Sequence, residues 1–289
     1  MKKRIKMAIK CLLGKPIVSP VQSHQYKLTI DDTKKFSGLN VMVTGGTGAI
    51  GSAICYELAA MGAAVGICGR SNERIKSTID YISLESPLVA QNLIPVVLDV
   101  NKDDQIQSAI EKFNDEHGLD AFINNAGGQN GRVGKLAAHI FENSIEDIDL
   151  VLDTNLRGTI LCSRIAAQIM TRQKCGTIIS MASVIGMGGK AGYCDYAATK
   201  AGIIGFTKSL ALEIAQYGVR VNCISPGLVN QTPFDEGSPE RYTELTALKR
   251  AGFTKEIADA VVFLLDDKYI TGQNIVVDGG RSLGLYGDK

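Results

Sequence analysis

Short segments of entirely apolar residues alternate with longer segments of helical periodicity from Gly38 onward. Consecutive apolar positions are typical of strands buried on both faces, and apolar positions three and four residues apart are typical of helices. We predict strands at residues 40–44, 64–68, 93–98, 121–123, 177–180, 219–224 and 275–277. We predict helices between them at residues 50–61, 74–84, 104–117, 145–172, 197–216 and 256–265.

This alternation predicts an α/β fold. Wholly apolar strands separated by helices of about ten or more residues form parallel sheets that are covered on both faces. Right-handed crossovers then produce a doubly wound parallel sheet, the Rossmann fold, here with about seven strands. No Pro/Ser-rich linker divides the chain after residue 38. We therefore predict one domain, residues 38–289, that carries all sites and follows an N-terminal extension, residues 1–37.

Basic residues are concentrated at the start of the chain. Residues 1–15 contain six Lys or Arg residues and no acid, although the formal net charge of the whole chain is only +1. Removing these six from the 31 basic residues leaves 25 against 30 acidic residues, so the rest of the chain is mildly acidic. An acidic body argues against nucleic acid as a partner.

The basic extension has two interpretations, which both stay open. It is either a disordered or loosely docked arm, or a basic amphipathic stretch that touches anionic lipid or a partner. Its apolar run, residues 11–13, is too short for the core of a signal peptide. Because no stretch reaches the roughly 18 apolar residues of a spanning helix, we expect no integral membrane segment.

The cysteine and histidine pattern bounds the chemistry. Seven cysteines are scattered through apolar segments without a CxxC pair, and the chain has only three histidines. Such spacing offers no metal-ligand set, so we expect no metal site. An odd number of dispersed thiols is typical of a reducing compartment, which predicts a cytoplasmic protein.

A glycine-rich loop joins the first predicted strand to the first predicted helix. The loop reads Thr-Gly-Gly-Thr-Gly-Ala-Ile-Gly over residues 44–51. Glycines let a backbone approach a pyrophosphate, and the following helix N-terminus supplies amide donors and a positive dipole. This placement predicts a dinucleotide site, with contacts from Gly45, Thr47, Gly48, Ile50 and Gly51.

The ends of the next strands extend the predicted cofactor site. Arg70 stands where an acid would bind a ribose hydroxyl, and a guanidinium there suits a 2′-phosphate, so NADP is favoured and NAD stays an alternative. Arg70 could equally be a solvated residue at a helix start. Asp99, before Val100, could reach an adenine amine or cap the next helix. Small residues after the fourth strand would let the backbone pass close to the cofactor: Asn125, Ala126 and Gly127.

Four polar residues form a candidate catalytic group. Tyr196 and Lys200 stand four positions apart, on one face of a predicted helix, where the cation would lower the pKa of the phenol. Ser183 follows a strand and can hold a substrate oxygen beside the tyrosine. Asn155 interrupts a long apolar helix, and a buried amide there needs partners, such as a water connected to Lys200.

These motifs resemble the short-chain dehydrogenase/reductase family, over about residues 38–280. The family's Asn-Ser-Tyr-Lys tetrad falls on the four residues above, its NNAG element on residues 124–127, and its Pro-Gly element on Pro226 and Gly227. The closing strand resembles residues 271–280, and Val221 resembles the residue that flanks the cofactor edge. The resemblance implies that Tyr196 exchanges the proton and Ser183 orients the substrate oxygen. Lys200 would also bind the nicotinamide ribose, and Asn155 would anchor a proton-relay water.

The resemblance also implies features beyond the tetrad. Further cofactor contacts would come from Tyr196, Lys200, Pro226, Gly227, Val229 and Thr232. Residues 228–248 would cover the substrate as a lid. Relatives pack the helices predicted at 145–172 and 197–216 against each other, which implies a homotetramer or a homodimer.

Two departures from the family pattern stand out. Ala49 replaces a glycine of the compact branch's TGxxxGxG motif, and the string also satisfies TGxxGxxG of the larger sugar-nucleotide epimerase branch. We choose the compact, single-domain branch because the NNAG, Pro-Gly and C-terminal elements are present. Thr232 also lies one residue later than usual after Pro226-Gly227.

The expected activity is NADP-dependent reduction of a ketone or oxidation of an alcohol, on a small molecule such as a 3-oxoacyl, alicyclic or sugar-derived ketone. Two alternatives stay open: an epimerase or dehydratase that uses bound NAD transiently, and a non-catalytic NADP-binding regulator. Residues expected to line the substrate site mix apolar and polar character: Met181, Met187, Cys194, Asp195 and Phe234.

Overall fold

The fold is a seven-stranded parallel sheet with the strand order β3-β2-β1-β4-β5-β6-β7. It comes from a computed structural model, which describes residues 34–128, 139–230 and 245–284. The strands are β1 Asn40–Val43, β2 Ala64–Gly69, β3 Leu93–Val97, β4 Ala121–Asn124, β5 Gly176–Met181, β6 Val219–Pro226 and β7 Asn274–Val277. The predicted doubly wound sheet is therefore confirmed.

Helices connect the strands. In chain order they are α1 Ala49–Ala60, α2 Asn72–Glu85, α3 Pro87–Ala90, α4 Asp103–His117, α5 Ile145–Leu152, α6 Gly158–Gln173, α7 Ile185–Gly188, α8 Cys194–Ile214 and α9 Thr254–Asp266. Single turns of 3₁₀-helix occur at Ile140–Glu142, Ala215–Tyr217 and Arg281–Leu283. The short helices α3 and α7 were not predicted, because four residues give no readable periodicity.

Both faces of the sheet are buried. Along β1, Val41 and Val43 point into the core beneath α1 and α9, whereas Met42 points into the core beneath α4, α6 and α8. All three side chains are fully buried. This is why the strands are apolar at every position instead of alternating, as expected for a parallel sheet between two helical layers.

The order of the strands reverses beside β1. Val41 pairs with Val65 of β2 on one side and with Ala121 of β4 on the other. The chain builds outward to β3 and then crosses back to β4, which leaves a crevice at the carboxyl ends of β1 and β4. Ligands of open α/β sheets bind at this kind of switch point.

The predicted helix at 145–172 is divided into two helices. Between α5 and α6 the backbone makes one turn of π-helix, Asp153–Arg157. Asn155 lies inside this turn and is fully buried. The sequence located the interruption at Asn155, but it did not predict the change in helix type.

The last residues of the predicted extension contact the domain. Phe36 is buried, and its N–H donates a 2.9 Å hydrogen bond to the carbonyl of Met61. Lys35 forms a 2.9 Å ion pair with Asp266. Residues 1–33, which include the basic arm, lie outside the described residues.

Two features are absent from the described ranges. In 34–128, 139–230 and 245–284, no helix has both the length and the apolarity to cross a membrane. The same ranges contain no group of three or more His, Cys, Asp or Glu residues placed to hold a metal ion.

Candidate cofactor and active site

The glycine-rich loop leaves no room for side chains at two of its positions. Gly45 has a φ of +63°, and a Cβ added to it would lie 2.8 Å from the Cα of Ala126. A Cβ on Gly51, in the first turn of α1, would lie 2.1 Å from the carbonyl oxygen of Gly45. The loop therefore exposes its backbone, without side chains, at these positions. Gly48 is the N-cap of α1 and no side chain caps the helix, so the loop fits a pyrophosphate.

Thr44 and Asn125 bind the glycine-rich loop to the end of β4. The Thr44 hydroxyl accepts hydrogen bonds from the N–H groups of Asn125 and Ala126, both at 3.0 Å. The Asn125 amide donates at 3.1 Å to the carbonyls of Thr44 and Gly45. Sequence reasoning missed Thr44, whose signal was a hydroxyl residue directly before the first glycine. These bonds keep the crevice between β1 and β4 in one shape.

Arg70 lies at the outer edge of the crevice. A Cβ on Gly69, at the end of β2, would lie 3.0 Å from Cγ2 of Thr47, so β2 ends beside the glycine-rich loop. Arg70 follows directly and is exposed. The start of α2 is capped by Ser71, whose hydroxyl accepts a 3.3 Å hydrogen bond from the N–H of Arg74. The Arg70 side chain is thus not the helix cap.

Asp99 follows β3 and orders its own turn. Its carboxylate accepts a 3.1 Å hydrogen bond from the N–H of Asn101, and its N–H donates to the side chain of Gln105 at 3.1 Å. The N-cap of α4 is Lys102. Of the two alternatives for Asp99, capping of that helix is therefore wrong, whereas the adenine contact stays a prediction. Val100 is buried beneath α6.

Ser183, Tyr196 and Lys200 come together beyond the carboxyl end of β5. Ser183 follows that strand and is buried, and its oxygen accepts a 3.2 Å hydrogen bond from the N–H of Ile185. The Ser183 side chain also interacts with the Tyr196 phenol. Lys200 is buried one turn further along α8, with its Nζ 5.6 Å from the centroid of the Tyr196 ring.

Asn155 binds the loop that follows β4. Its amide nitrogen donates at 2.9 Å to the carbonyls of Gly128 and Val151, and its oxygen accepts a 2.9 Å hydrogen bond from the N–H of Gly128. Gly127 lies between Asn155 and Lys200, because a Cβ there would be 2.5 Å from Asn155 Oδ1 and 3.5 Å from Lys200 Nζ. The four predicted catalytic residues therefore share one site, but the side-chain amide of Asn155 is hydrogen-bonded to backbone groups.

The electrostatics of the pair differ from the sequence-based expectation. Burial raises the pKa of the Tyr196 phenol above its usual 10.0, and the interaction with the Ser183 side chain opposes this effect. Burial lowers the pKa of Lys200 from 10.5 to about 8. Lys200 donates a 2.7 Å hydrogen bond to the carbonyl of Met181 rather than to the phenol. The net shift of the tyrosine pKa is therefore upward, opposite to the expected direction, because burial outweighs the lowering effects.

The Pro-Gly element lies against the last strand. The N–H of Gly227 donates to the carbonyl of Val277 at 2.9 Å, and a Cβ on Gly227 would lie 2.7 Å from the Cα of Asp278. Val229 pairs with Gly252 in an isolated bridge. Thr232 and Phe234 lie outside the described residues, as does most of the predicted lid.

The other residues expected to line the substrate site differ in burial. Met181 and Asp195 are buried, whereas Met187 and Cys194 are exposed. The Asp195 carboxylate accepts a 2.8 Å hydrogen bond from the N–H of Tyr196. Asp195 thus contributes to the first turn of α8.

Comparisons with known proteins agree with this geometry. A family model described as enoyl-(acyl carrier protein) reductase matches residues 45–282. The chain is 36% identical over 242 residues to carbonyl reductase family member 4 of Danio rerio, which covers 84% of this chain and 97% of that protein.

Solved structures give the same result. A 3-oxoacyl-[acyl-carrier protein] reductase with bound NAD from Brucella melitensis superposes with a TM-score of 0.77 at 31% identity, over 86% of this chain and 93% of that one. ElxO with NADP bound superposes with a TM-score of 0.75 at 29% identity, over 84% and 98% of the two chains. The chain belongs to the short-chain dehydrogenase/reductase family. It is an oxidoreductase of the compact, single-domain branch.

Proposed function

We propose that this protein is an NADP-dependent carbonyl reductase or alcohol dehydrogenase, with Ser183, Tyr196 and Lys200 at its catalytic centre. The observation that carries the proposal is the meeting of these three side chains beside the crevice of the glycine-rich loop. The acid needed for carbonyl reduction and the cradle needed for a dinucleotide thus lie at one edge of the sheet.

Each side chain has a distinct role in the proposed reaction. A nicotinamide cofactor, when bound, would supply the hydride to a ketone carbon or accept it from an alcohol. The Tyr196 phenol gives its proton to the carbonyl oxygen as negative charge develops there, and the Ser183 hydroxyl donates a hydrogen bond to the same oxygen. The Lys200 ammonium stabilises the phenolate left behind. Asn155 holds the loop at Gly127 and Gly128, and thereby the floor of the site.

The cofactor proposal rests on the residues of the crevice. Gly45, Thr47, Gly48, Ile50 and Gly51 would hold the pyrophosphate. The exposed Arg70 guanidinium would bind a 2′-phosphate, which favours NADP over NAD. One similar structure holds NAD and another holds NADP, so the family accommodates both cofactors.

The first experiment measures NADPH and NADH binding by the purified protein, followed by nicotinamide oxidation with a panel of 3-oxoacyl, alicyclic and sugar-derived ketones. Tight NADPH binding with turnover of one ketone class would support the proposal. Turnover without net oxidation or reduction would instead support an epimerase or dehydratase. Failure to bind either nucleotide would contradict the role of the glycine-rich loop.

Tyr196→Phe tests the catalytic centre itself. Removing the phenolic hydroxyl is expected to lower kcat by about 10²- to 10⁴-fold, the usual contribution of a general acid. NADPH affinity should stay within about threefold of the unmodified protein, because the ring and Lys200 remain. Undiminished turnover would exclude Tyr196 as the proton donor, and a non-catalytic regulator would show no turnover to lose.

The cellular location is also a proposal. Six cysteines in the described ranges are free thiols, four of them buried. Free thiols fit a reducing compartment, so we place the enzyme in the cytoplasm.

A further inference from the structure

An open surface pocket of about 600 Å³ lies at the segment that joins Ser183 to Tyr196. Its described lining consists of Gly188, Gly189, Lys190 and Ala191. Three of these residues have no polar side chain, so Lys190 supplies the charge at this wall. The sequence analysis did not single out Lys190, because a single lysine between small residues forms no recognisable motif.

The segment that carries Lys190 follows α7, which packs on the catalytic helix. A Cβ on Gly186, in α7, would lie 2.6 Å from the N of Ala201 and 2.8 Å from Cβ of Lys200, so α7 packs directly on α8. The sulfur of Met187 also accepts a 3.4 Å hydrogen bond from the side chain of Asn274 in β7. These contacts hold Gly186 and Met187, directly before the lining residues, against α8 and β7.

A ring holds the Lys190 ammonium at this wall. Its Nζ lies 5.1 Å from the centroid of the Tyr193 ring. A ring face attracts the charge without accepting a directed hydrogen bond in the way a carboxylate does, so the three N–H donors stay available for another partner. Within 34–128, 139–230 and 245–284, no carboxylate forms an ion pair with Lys190.

We propose that Lys190 is a specificity residue that binds an anionic group of the substrate. The substrate would then be a ketone with two recognised ends: a carbonyl beside Ser183 and Tyr196, and a carboxylate or phosphate at Lys190. A lysine ammonium binds either oxyanion as a point charge. This proposal rests on the reductase function proposed above and narrows its substrate class to anionic ketones.

The test compares Lys190→Gln with the unmodified protein on matched ketone pairs. Linear methyl ketones ending in a carboxylate are paired with their carboxamides, over a series of chain lengths, and 2-oxopropylphosphonate is paired with its dimethyl ester. Within a pair only the charge or its masking differs. We expect the ratio of kcat/KM for the charged over the neutral member to fall about fivefold in Lys190→Gln, the size of a half-exposed ion pair.

Lys112→Gln is the matched control, since Lys112 is an exposed lysine on α4 and its removal changes the net charge equally. It should leave the ratio unchanged. A fall in the carboxylate pairs alone or in the phosphonate pair alone supports the proposal and identifies the anion. An unchanged ratio in every pair overturns it.

Calorimetric titration with the same oxo acids and amides separates this proposal from the reductase function. If no ketone is reduced but the acids still bind more tightly than the amides in a Lys190-dependent manner, the reductase proposal fails and the anion site stands. If ketones are reduced with equal charged-to-neutral ratios in both proteins, the reductase stands and the Lys190 proposal fails.

Discussion

Lys200 holds a charge in a buried position, and this makes the stability of the fold depend on pH. Burial lowers its pKa from 10.5 to about 8, so between these values the unfolded chain binds a proton that the folded chain has released. The free energy of unfolding therefore rises with pH in this window. Below about pH 8 both states are protonated and the contribution is flat.

Lys200→Met removes this titration. We expect the difference in unfolding free energy, unmodified protein minus variant, to increase by about 2 kcal/mol between pH 7 and pH 9.5. Urea titrations at a series of pH values measure it, and any pH-independent cost of losing the bond to Met181 cancels. A difference that stays constant with pH would mean that Lys200 titrates as an exposed lysine does.

Arg70 is the residue on which the choice of cofactor depends. Its guanidinium is exposed at the edge of the crevice, where it would meet the 2′-phosphate that NADPH has and NADH lacks. Arg70→Ala is expected to weaken NADPH binding by about tenfold and NADH binding by less than about twofold. Lys76→Ala, an equal charge change further along α2, should affect neither selectively. Equal losses for both nucleotides would contradict the NADP assignment.

At the scale of elements, the turn from β1 into α1 depends on a close approach of backbone to backbone. A methyl group on Gly51 would lie 2.1 Å from the Gly45 carbonyl oxygen, so Gly51→Ala must displace the loop. We expect a loss of about 1–3 kcal/mol in unfolding free energy and at least about tenfold weaker nucleotide binding, measured by calorimetry.

Ala49→Gly is the control for this element, because it changes the same loop by one methyl group in the opposite direction. It also restores the glycine that the compact branch usually has. We expect nucleotide binding within about threefold of the unmodified protein. If Gly51→Ala bound nucleotide as well as Ala49→Gly does, the close contact with Gly45 would not shape the site.

The elements also indicate what a sequence can predict. Wholly apolar strands and the loop at residues 44–51 were sufficient to predict the sheet, its two helical layers and the cofactor crevice. The π-helical turn at Asp153–Arg157 was not predictable, since it depends on the contact of Asn155 with Gly128 across 27 positions. The direction of the Tyr196 pKa shift was missed for a similar reason. Burial and the hydrogen bond from Lys200 to Met181 arise only in the folded tertiary structure.

At the scale of the whole molecule, apolar side chains remain exposed on two adjoining helices. Ile145 and Leu150 of α5 are 72% and 42% exposed, and Leu212 of α8 is 85% exposed. The two helices are neighbours, because α5 packs on α8. Large apolar side chains left in water on these helices fit an interface with a second copy of the chain. It supports the homotetramer or homodimer that the family resemblance implies through these helices.

Leu212→Glu tests this assembly. A carboxylate in a two-fold interface meets its own copy and loses hydration, so the oligomer is expected to dissociate to a smaller species in light scattering after gel filtration. Leu84→Glu is a close control, because Leu84 is also 85% exposed and belongs to a different helix, α2. It should leave the mass unchanged. If Leu212→Glu kept the mass of the unmodified protein, α8 would not form the interface. If both variants dissociated, the effect would come from added charge rather than from this surface.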